Sequence, residues 1–80
     1  MCTLKIASFA FAPPQISAAA GQRVTWVNDD VAPHGVAVKE GATSDLLAPR
    51  ERYAMKFNRP GSYDYNCSVH PYMKGRVIVQ

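Results

Sequence analysis

Apolar and polar residues alternate along short stretches of this chain, and turn-forming residues separate the stretches. A period of two places successive side chains on opposite faces of a β-strand, so each stretch predicts a strand with one apolar face. In residues 22–28, for example, Val24 and Trp26 point one way while Arg23 and Thr25 point the other. The pattern predicts strands at residues 4–8, 15–18, 22–28, 35–39, 52–58, 62–67 and 74–80.

The segments between these strands contain residues that typically interrupt or reverse a chain. Pro13 and Pro14 exclude a central strand at residues 9–14, because proline has no N–H to donate to a ladder. Residues 40–50 are predicted to form a loop with one helical turn at residues 44–47. No stretch of the chain shows sustained helical periodicity. We therefore expect an all-β fold, an antiparallel β-sandwich of about seven to eight strands.

Length and charge restrict the classes of function. A chain of 80 residues makes one domain, which we place at residues 1–80. The formal net charge is +3, and the nine basic residues are scattered, so no segment resembles a nucleic-acid-binding arm or a polybasic membrane patch. We interpret the basic surface as solvated, with weak steering of an acidic partner as the alternative. No apolar run is long enough to form a transmembrane segment.

The chemistry of the chain is concentrated in residues 67–73 and in one upstream histidine, His34. Cys67, His70 and Met73 place a thiolate, an imidazole and a thioether at three-residue intervals. Two histidines, one cysteine and a weak thioether form the donor set of a blue-copper site. Zinc rarely accepts methionine, iron–sulfur clusters need several thiolates, and magnesium and calcium prefer oxygen. Each residue alone has an ordinary structural role, but together they predict a copper site formed by His34, Cys67, His70 and Met73.

The second cysteine, Cys2, has no partner if Cys67 binds a metal, so no disulfide is expected. We interpret Cys2 as an incidental thiol, and a lipid-anchored N terminus is the alternative. The chain does not begin with a signal-peptide pattern. A copper protein of this type would nevertheless normally be exported, so we expect a periplasmic or other extracytoplasmic location.

Four segments of the chain resemble segments of a known protein family. They are residues 9–14, residues 24–28 followed by Pro33 and His34, and the segments 60–67 and 70–75. In these segments the chain resembles the cupredoxins, or blue copper proteins. The two-residue spacings within the ligand loop resemble the amicyanin branch of the plastocyanin–pseudoazurin group. The resemblance implies a Greek-key β-sandwich with one type 1 copper ion, in which Cys67 and the two histidines are equatorial ligands and Met73 is the long axial ligand.

The expected function is the transfer of single electrons between larger redox proteins, with copper alternating between Cu(I) and Cu(II). His70, next to Pro71 and Tyr72, is expected to be the exposed edge at which a monomer docks transiently with donor and acceptor. An apolar rim for docking is predicted at Pro13, Pro14, Ala32 and Pro33. We do not expect an enzyme, because a catalytic copper centre needs more histidines than the two present. The alternatives are a copper carrier and the electron-relay domain of a larger copper enzyme.

Four positions add finer predictions. Gly35 stands where relatives often have Asn or Thr, so a side-chain link between the two ligand loops is expected to be missing. Val69 stands where amicyanins often have Pro. Its N–H is predicted to reach the Cys67 sulfur and to raise the reduction potential. Either Tyr63 or Tyr65 is expected to hydrogen-bond back to the backbone at a strand corner.

Overall fold

The computed structural model describes residues 2–39 and 41–80, so Met1 and Glu40, which belongs to the predicted loop, lie outside it. Within the described residues the chain forms eight strands in two sheets of four. In chain order they are β1 (Cys2–Ala7), β2 (Ala10–Ala12), β3 (Gln15–Ala18), β4 (Gln22–Asn28), β5 (Ala37–Val38), β6 (Arg52–Phe57), β7 (Gly61–Asn66) and β8 (Lys74–Val79). The first sheet has the order β2-β1-β4-β6 and the second the order β3-β8-β7-β5.

The predicted all-β class and the number of strands are confirmed, but not every pairing is antiparallel. β1 runs parallel to β4, and β3 runs parallel to β8. Parallel neighbours need a crossover connection instead of a hairpin. The chain provides one by leaving the first sheet after β2, forming β3 in the second sheet, and returning as β4. Alternation along a strand reports which face is buried, and it does not identify the neighbouring strand.

The core lies between the two sheets, and the alternation of the strands accounts for it. Along β4, Val24 and Trp26 are fully buried, as the sequence predicts. Trp26 contacts the ring of Tyr65 from the opposite sheet, at a centroid separation of 5.3 Å. It also contacts the ring of Phe57 from its own sheet, at 6.4 Å. Full burial of one large apolar side chain contributes about 1.5–3 kcal/mol, so this aromatic cluster is a major source of stability in so small a domain.

The segment around β5 differs from the prediction. The strand is limited to Ala37–Val38, because the preceding residues 34–36 bond to residues 44–47 instead of to the second sheet. His34 and Leu47 exchange backbone hydrogen bonds of 3.2 Å and 2.7 Å, and the Ser44 N–H donates to Val36. The predicted helical turn at residues 44–47 is therefore wrong. Among residues 2–39 and 41–80 no helix has the length and apolarity needed to cross a membrane.

The structure also distinguishes the two candidate corner tyrosines. Tyr63 donates its hydroxyl to the Arg59 carbonyl at 2.7 Å, four residues upstream, at the turn that leads into β7. Tyr65 points into the core, where its hydroxyl has no hydrogen-bond partner among the described residues. Tyr63 therefore provides the link between side chain and backbone at this corner.

Candidate metal centre

His34 is held rigidly in the connection between β4 and β5. Its backbone pairs with Leu47, and its side chain is fully buried. Asn28, the buried last residue of β4, donates its side-chain amide to the carbonyls of Ala32 and Leu47 at 3.0 Å and 2.8 Å. It also accepts the Asp30 N–H at 3.0 Å. These bonds fix the path of the chain from β4 to the histidine, and the sequence pattern did not predict them.

The other candidate donors lie on the loop that joins β7 to β8. Cys67 directly follows β7, and Met73 directly precedes β8. The Cys67 N–H donates to the Met73 carbonyl at 2.9 Å, and the Met73 N–H donates to the His70 carbonyl at 2.9 Å. These bonds close the loop on itself and turn its ends toward each other. Cys67 and Met73 are buried, whereas His70 is only partly buried.

Three of the four predicted donors come together at one end of the sandwich. A nitrogen of His34, a nitrogen of His70 and the sulfur of Cys67 lie within 4.8 Å of one another. The Cys67 sulfur is 3.6 Å from His34 Nδ1 and 3.8 Å from His70 Nδ1. The fourth, Met73, is buried on the same short loop, and its backbone is hydrogen-bonded to both Cys67 and His70.

These separations fit a metal ion between the donors. Typical metal–thiolate and metal–imidazole bonds of about 2.3 Å and 2.1 Å place sulfur and nitrogen about 3.6 Å apart at a tetrahedral angle and about 3.8 Å apart at a trigonal angle. The observed values of 3.6 Å and 3.8 Å fall within that interval. A set of one sulfur and two nitrogens with a neighbouring thioether suits copper.

The carboxylate of Asp30 fixes the orientation of His34. Asp30 Oδ2 lies 2.9 Å from His34 Nε2, the ring nitrogen that faces away from Cys67. A carboxylate that accepts the Nε2–H leaves the lone pair of Nδ1 directed at the metal position. The bond with His34, reinforced by the Phe9 N–H at 3.0 Å, holds the pKa of Asp30 below its ordinary value. Asp30 lies four residues before a predicted ligand, and this spacing was the one signal for it in the sequence.

The backbone hydrogen bond to the Cys67 sulfur comes from a different residue than predicted. The N–H that reaches the Cys67 sulfur belongs to His70, at 3.4 Å, and not to Val69. The loop turns so that the N–H three residues after the cysteine points back at the sulfur. Because a proline at position 69 would leave the His70 N–H in place, the prediction that Val69 raises the reduction potential loses its structural basis.

Gly35 has a role that the sequence did not indicate. A Cβ atom at this position would overlap the Ser68 side chain, which follows Cys67 on the other ligand loop. The two ligand loops are thus in direct van der Waals contact at Gly35. Close packing of a serine against a glycine takes the place of the side-chain link expected at this position in relatives.

Comparison with known proteins supports this geometry. The family model described as copper binding proteins, plastocyanin/azurin family, matches residues 1–80. The chain belongs to this copper-binding family. Among its relatives, amicyanin-alpha of Methylorubrum extorquens is 41% identical in an alignment of 83 positions that covers 96% of this chain and 70% of that protein. Amicyanin of Paracoccus versutus is 40% identical in an alignment of 81 positions that covers 94% of this chain and 61% of that protein. The chain thus spans about two thirds of the length of these relatives.

Solved structures agree with the family match. The crystal structure of amicyanin from Paracoccus versutus superposes with a TM-score of 0.93 at 38% identity, over 99% of this chain and 80% of that one. A purple cupredoxin from Nitrosopumilus maritimus superposes with a TM-score of 0.94 at 26% identity, over the full length of both chains. Family membership confirms the predicted resemblance, the cupredoxin fold and the copper cofactor. It also bears out the predicted functional class, mononuclear copper electron transfer.

Proposed function

We propose that this cupredoxin carries single electrons between redox proteins through one type 1 copper ion held by His34, Cys67, His70 and Met73. The observation that supports this most directly is the convergence of one sulfur and two imidazole nitrogens at separations that match a metal coordination shell. Copper in such a site gains and loses one electron without bond chemistry. The protein residues therefore have to hold one geometry in both oxidation states.

The proposed ligands divide this task. Cys67 supplies the thiolate, whose charge is moderated by the N–H of His70. His34 is held by Asp30 and by its backbone pairing, so its ring has little freedom to move. Met73 would supply a weak thioether ligand that tunes the potential. The bonds that close the β7–β8 loop resist changes in shape, and this limits the reorganisation that accompanies electron transfer.

We propose that electrons leave through the edge of His70. Its ring is partly exposed and is surrounded by apolar side chains that face solvent. The Phe9 and Tyr72 rings lie 5.1 Å and 6.0 Å from it, and Tyr72 is 69% exposed. Val69 and Pro71 extend the same surface. A small apolar face around a redox centre suits short-lived encounters, because such complexes bury little area.

This reading implies a monomer without enzymatic activity that works outside the cytoplasm. The relatives are amicyanins and plastocyanins, and the three clustered donors include both histidines of the chain, so none is left for a second copper centre. Donor and acceptor are proposed to be redox proteins that dock at the face around His70. The predicted rim at Pro13, Pro14, Ala32 and Pro33 remains a prediction.

The test is to add Cu(II) to the metal-free protein and to record visible and EPR spectra, followed by voltammetry. We expect an intense thiolate charge-transfer band and a reversible one-electron wave. Cys67→Ser is expected to abolish the band. Cys2→Ser, at the half-buried second cysteine, is the matched control and should keep it. Met73→Gln should keep the band and lower the potential.

Three results would contradict the proposal. A colourless product with an ordinary tetragonal copper signal would exclude a thiolate-bound type 1 site. Tight binding of Cu(I) with an irreversible Cu(II) wave would indicate a copper carrier instead of an electron carrier. Retention of the band in Cys67→Ser would show that Cys67 is not the ligand.

A further inference from the structure

The turn between β1 and β2 has an unusual backbone for its sequence. Ala7 and Ala10 close the hairpin, so Ser8 and Phe9 alone form the turn. Both residues are left-handed, with φ of 52° and 57°. A two-residue hairpin turn with positive φ at both positions normally uses Asn-Gly or similar residues, and a bulky aromatic residue is disfavoured there. A strained backbone of this kind persists only where surrounding contacts offset its cost.

The contacts of Phe9 lead directly to the metal centre. Its ring lies edge-on to both histidine rings, with centroid separations of 5.4 Å to His34 and 5.1 Å to His70 and interplanar angles of 84° and 87°. Its N–H donates to Asp30 Oδ2 at 3.0 Å, and the same oxygen lies 2.9 Å from His34 Nε2. One carboxylate oxygen therefore joins the strained turn to a proposed ligand.

We propose that Phe9 is a positioning residue for the copper centre: the left-handed Ser8-Phe9 turn holds its ring against both imidazoles and limits their rotation. The inference rests on the ligand set proposed above. His34 and His70 come from different loops, and Phe9 is an aromatic ring in contact with both. Without that ring, a gap opens beside the two imidazoles, water reaches them, and both side chains gain rotational freedom.

Glycine at position 9 separates this role from a purely structural one. Phe9→Gly removes the ring and at the same time relieves the backbone, because glycine adopts positive φ without penalty. If the ring served only the fold, its loss would lower stability and leave the metal centre intact. Ser8→Gly is the matched control, because it relieves the same turn one residue earlier and leaves the ring in place.

The experiment measures copper retention. This involves no redox partner, so a role of the exposed part of Phe9 in docking would not affect the result. Excess EDTA is added to Cu(II)-loaded protein, and the loss of the thiolate band is followed over time. We expect Phe9→Gly to lose copper about tenfold faster than wild type, the lower end of the range for residues that orient ligands. Ser8→Gly should match wild type, and Phe9→Tyr, which keeps the ring, should restore slow loss.

A second readout uses the metal-free protein. Long-range ¹H–¹⁵N NMR of the imidazoles at one pH should show broader or averaged ring signals in Phe9→Gly than in Ser8→Gly. Should Phe9→Gly fail to fold, Phe9→Asn provides the same comparison, since asparagine tolerates the left-handed conformation. Wild-type copper retention and wild-type imidazole signals in the variant without the ring would overturn the inference. Failure of the wild-type protein to bind Cu(II) would contradict the proposed function, and the NMR comparison would still decide the role of Phe9.

Discussion

The buried hydroxyl of Tyr65 leads to a quantitative prediction for Tyr65→Phe. Tyr65 is 2% exposed, and its ring contacts Phe11 and Trp26 edge-on at 4.7 Å and 5.3 Å. Among the described residues its hydroxyl makes no hydrogen bond of good geometry, and neither does the buried Nε1–H of Trp26, which is near enough to lower the pKa of Tyr65 against the effect of burial. Phenylalanine keeps both ring contacts and removes the unpaired group. Because a buried hydroxyl without a partner costs about 1–3 kcal/mol, we expect Tyr65→Phe to raise the free energy of unfolding by about 1 kcal/mol at pH 8.

The same hydroxyl predicts a difference at alkaline pH. Burial raises the pKa of Tyr65 from 10.0 to about 12. The folded state holds the Tyr65 proton more strongly than the unfolded state does. This difference stabilises the folded protein fully below pH 10, and the stabilisation is lost as pH rises from 10 toward 12. The difference in pKa corresponds to about 3 kcal/mol. The advantage of Tyr65→Phe over wild type should therefore grow by that amount across this interval.

The assay is urea denaturation of the metal-free proteins between pH 8 and pH 12, followed by the fluorescence of Trp26. All other titrating groups are common to both proteins, so the difference between the two curves isolates Tyr65. Tyr72→Phe, at an exposed tyrosine, is the control and should leave the free energy of unfolding at pH 8 unchanged. Parallel pH profiles for wild type and Tyr65→Phe, or a less stable variant at pH 8, would refute the reasoning and would show that the hydroxyl has a partner.

Three further predictions concern the ligand loops and the strand corner at the start of β7. Gly35→Ala places a methyl group against the Ser68 side chain, so it should lower the free energy of unfolding by about 1 kcal/mol, and adding Ser68→Gly should recover most of it in urea denaturation. Val69→Pro removes an N–H that does not reach the thiolate, so voltammetry should give a potential close to wild type; a large fall would contradict this. Tyr63→Phe removes the bond to the Arg59 carbonyl and should lower the free energy of unfolding by about 1 kcal/mol, which thermal denaturation can check.

The sequence predicted the strands and the proposed ligands because both depend on local information. Alternation determined the buried face of β4 irrespective of what packs against it, and Val24 and Trp26 are buried as expected. Copper ligands are identified by donor chemistry and by their position at strand ends. Cys67 and His70 were predicted from their short spacing within one loop, and His34 was predicted from its position at a chain reversal upstream.

Strand pairing and turn conformation could not be predicted from local sequence patterns. Two parallel strand pairs arise from the path of the chain between sheets, which no single stretch of sequence records. The positive φ of Phe9 contradicts the preference of its residue type, so local propensity pointed away from the observed turn. Alternation could not decide between Tyr63 and Tyr65, because both lie on the same face of β7; they differ in position along the strand, where Tyr63 is half-buried and Tyr65 is buried.

The residues that the sequence missed at the metal centre share one property. Asp30 and Phe9 both lie outside the β7–β8 loop that carries Cys67 and His70: Asp30 is on the β4–β5 connection, and Phe9 is on the β1–β2 turn. The ligand set alone can be read from one loop and one histidine, but Phe9 reaches His70 from a turn of the other sheet, and no local pattern records that contact. A metal bound here joins both sheets through His34 and Cys67. Copper binding should therefore stabilise the packing of the sandwich as a whole, because any separation of the sheets breaks the coordination shell.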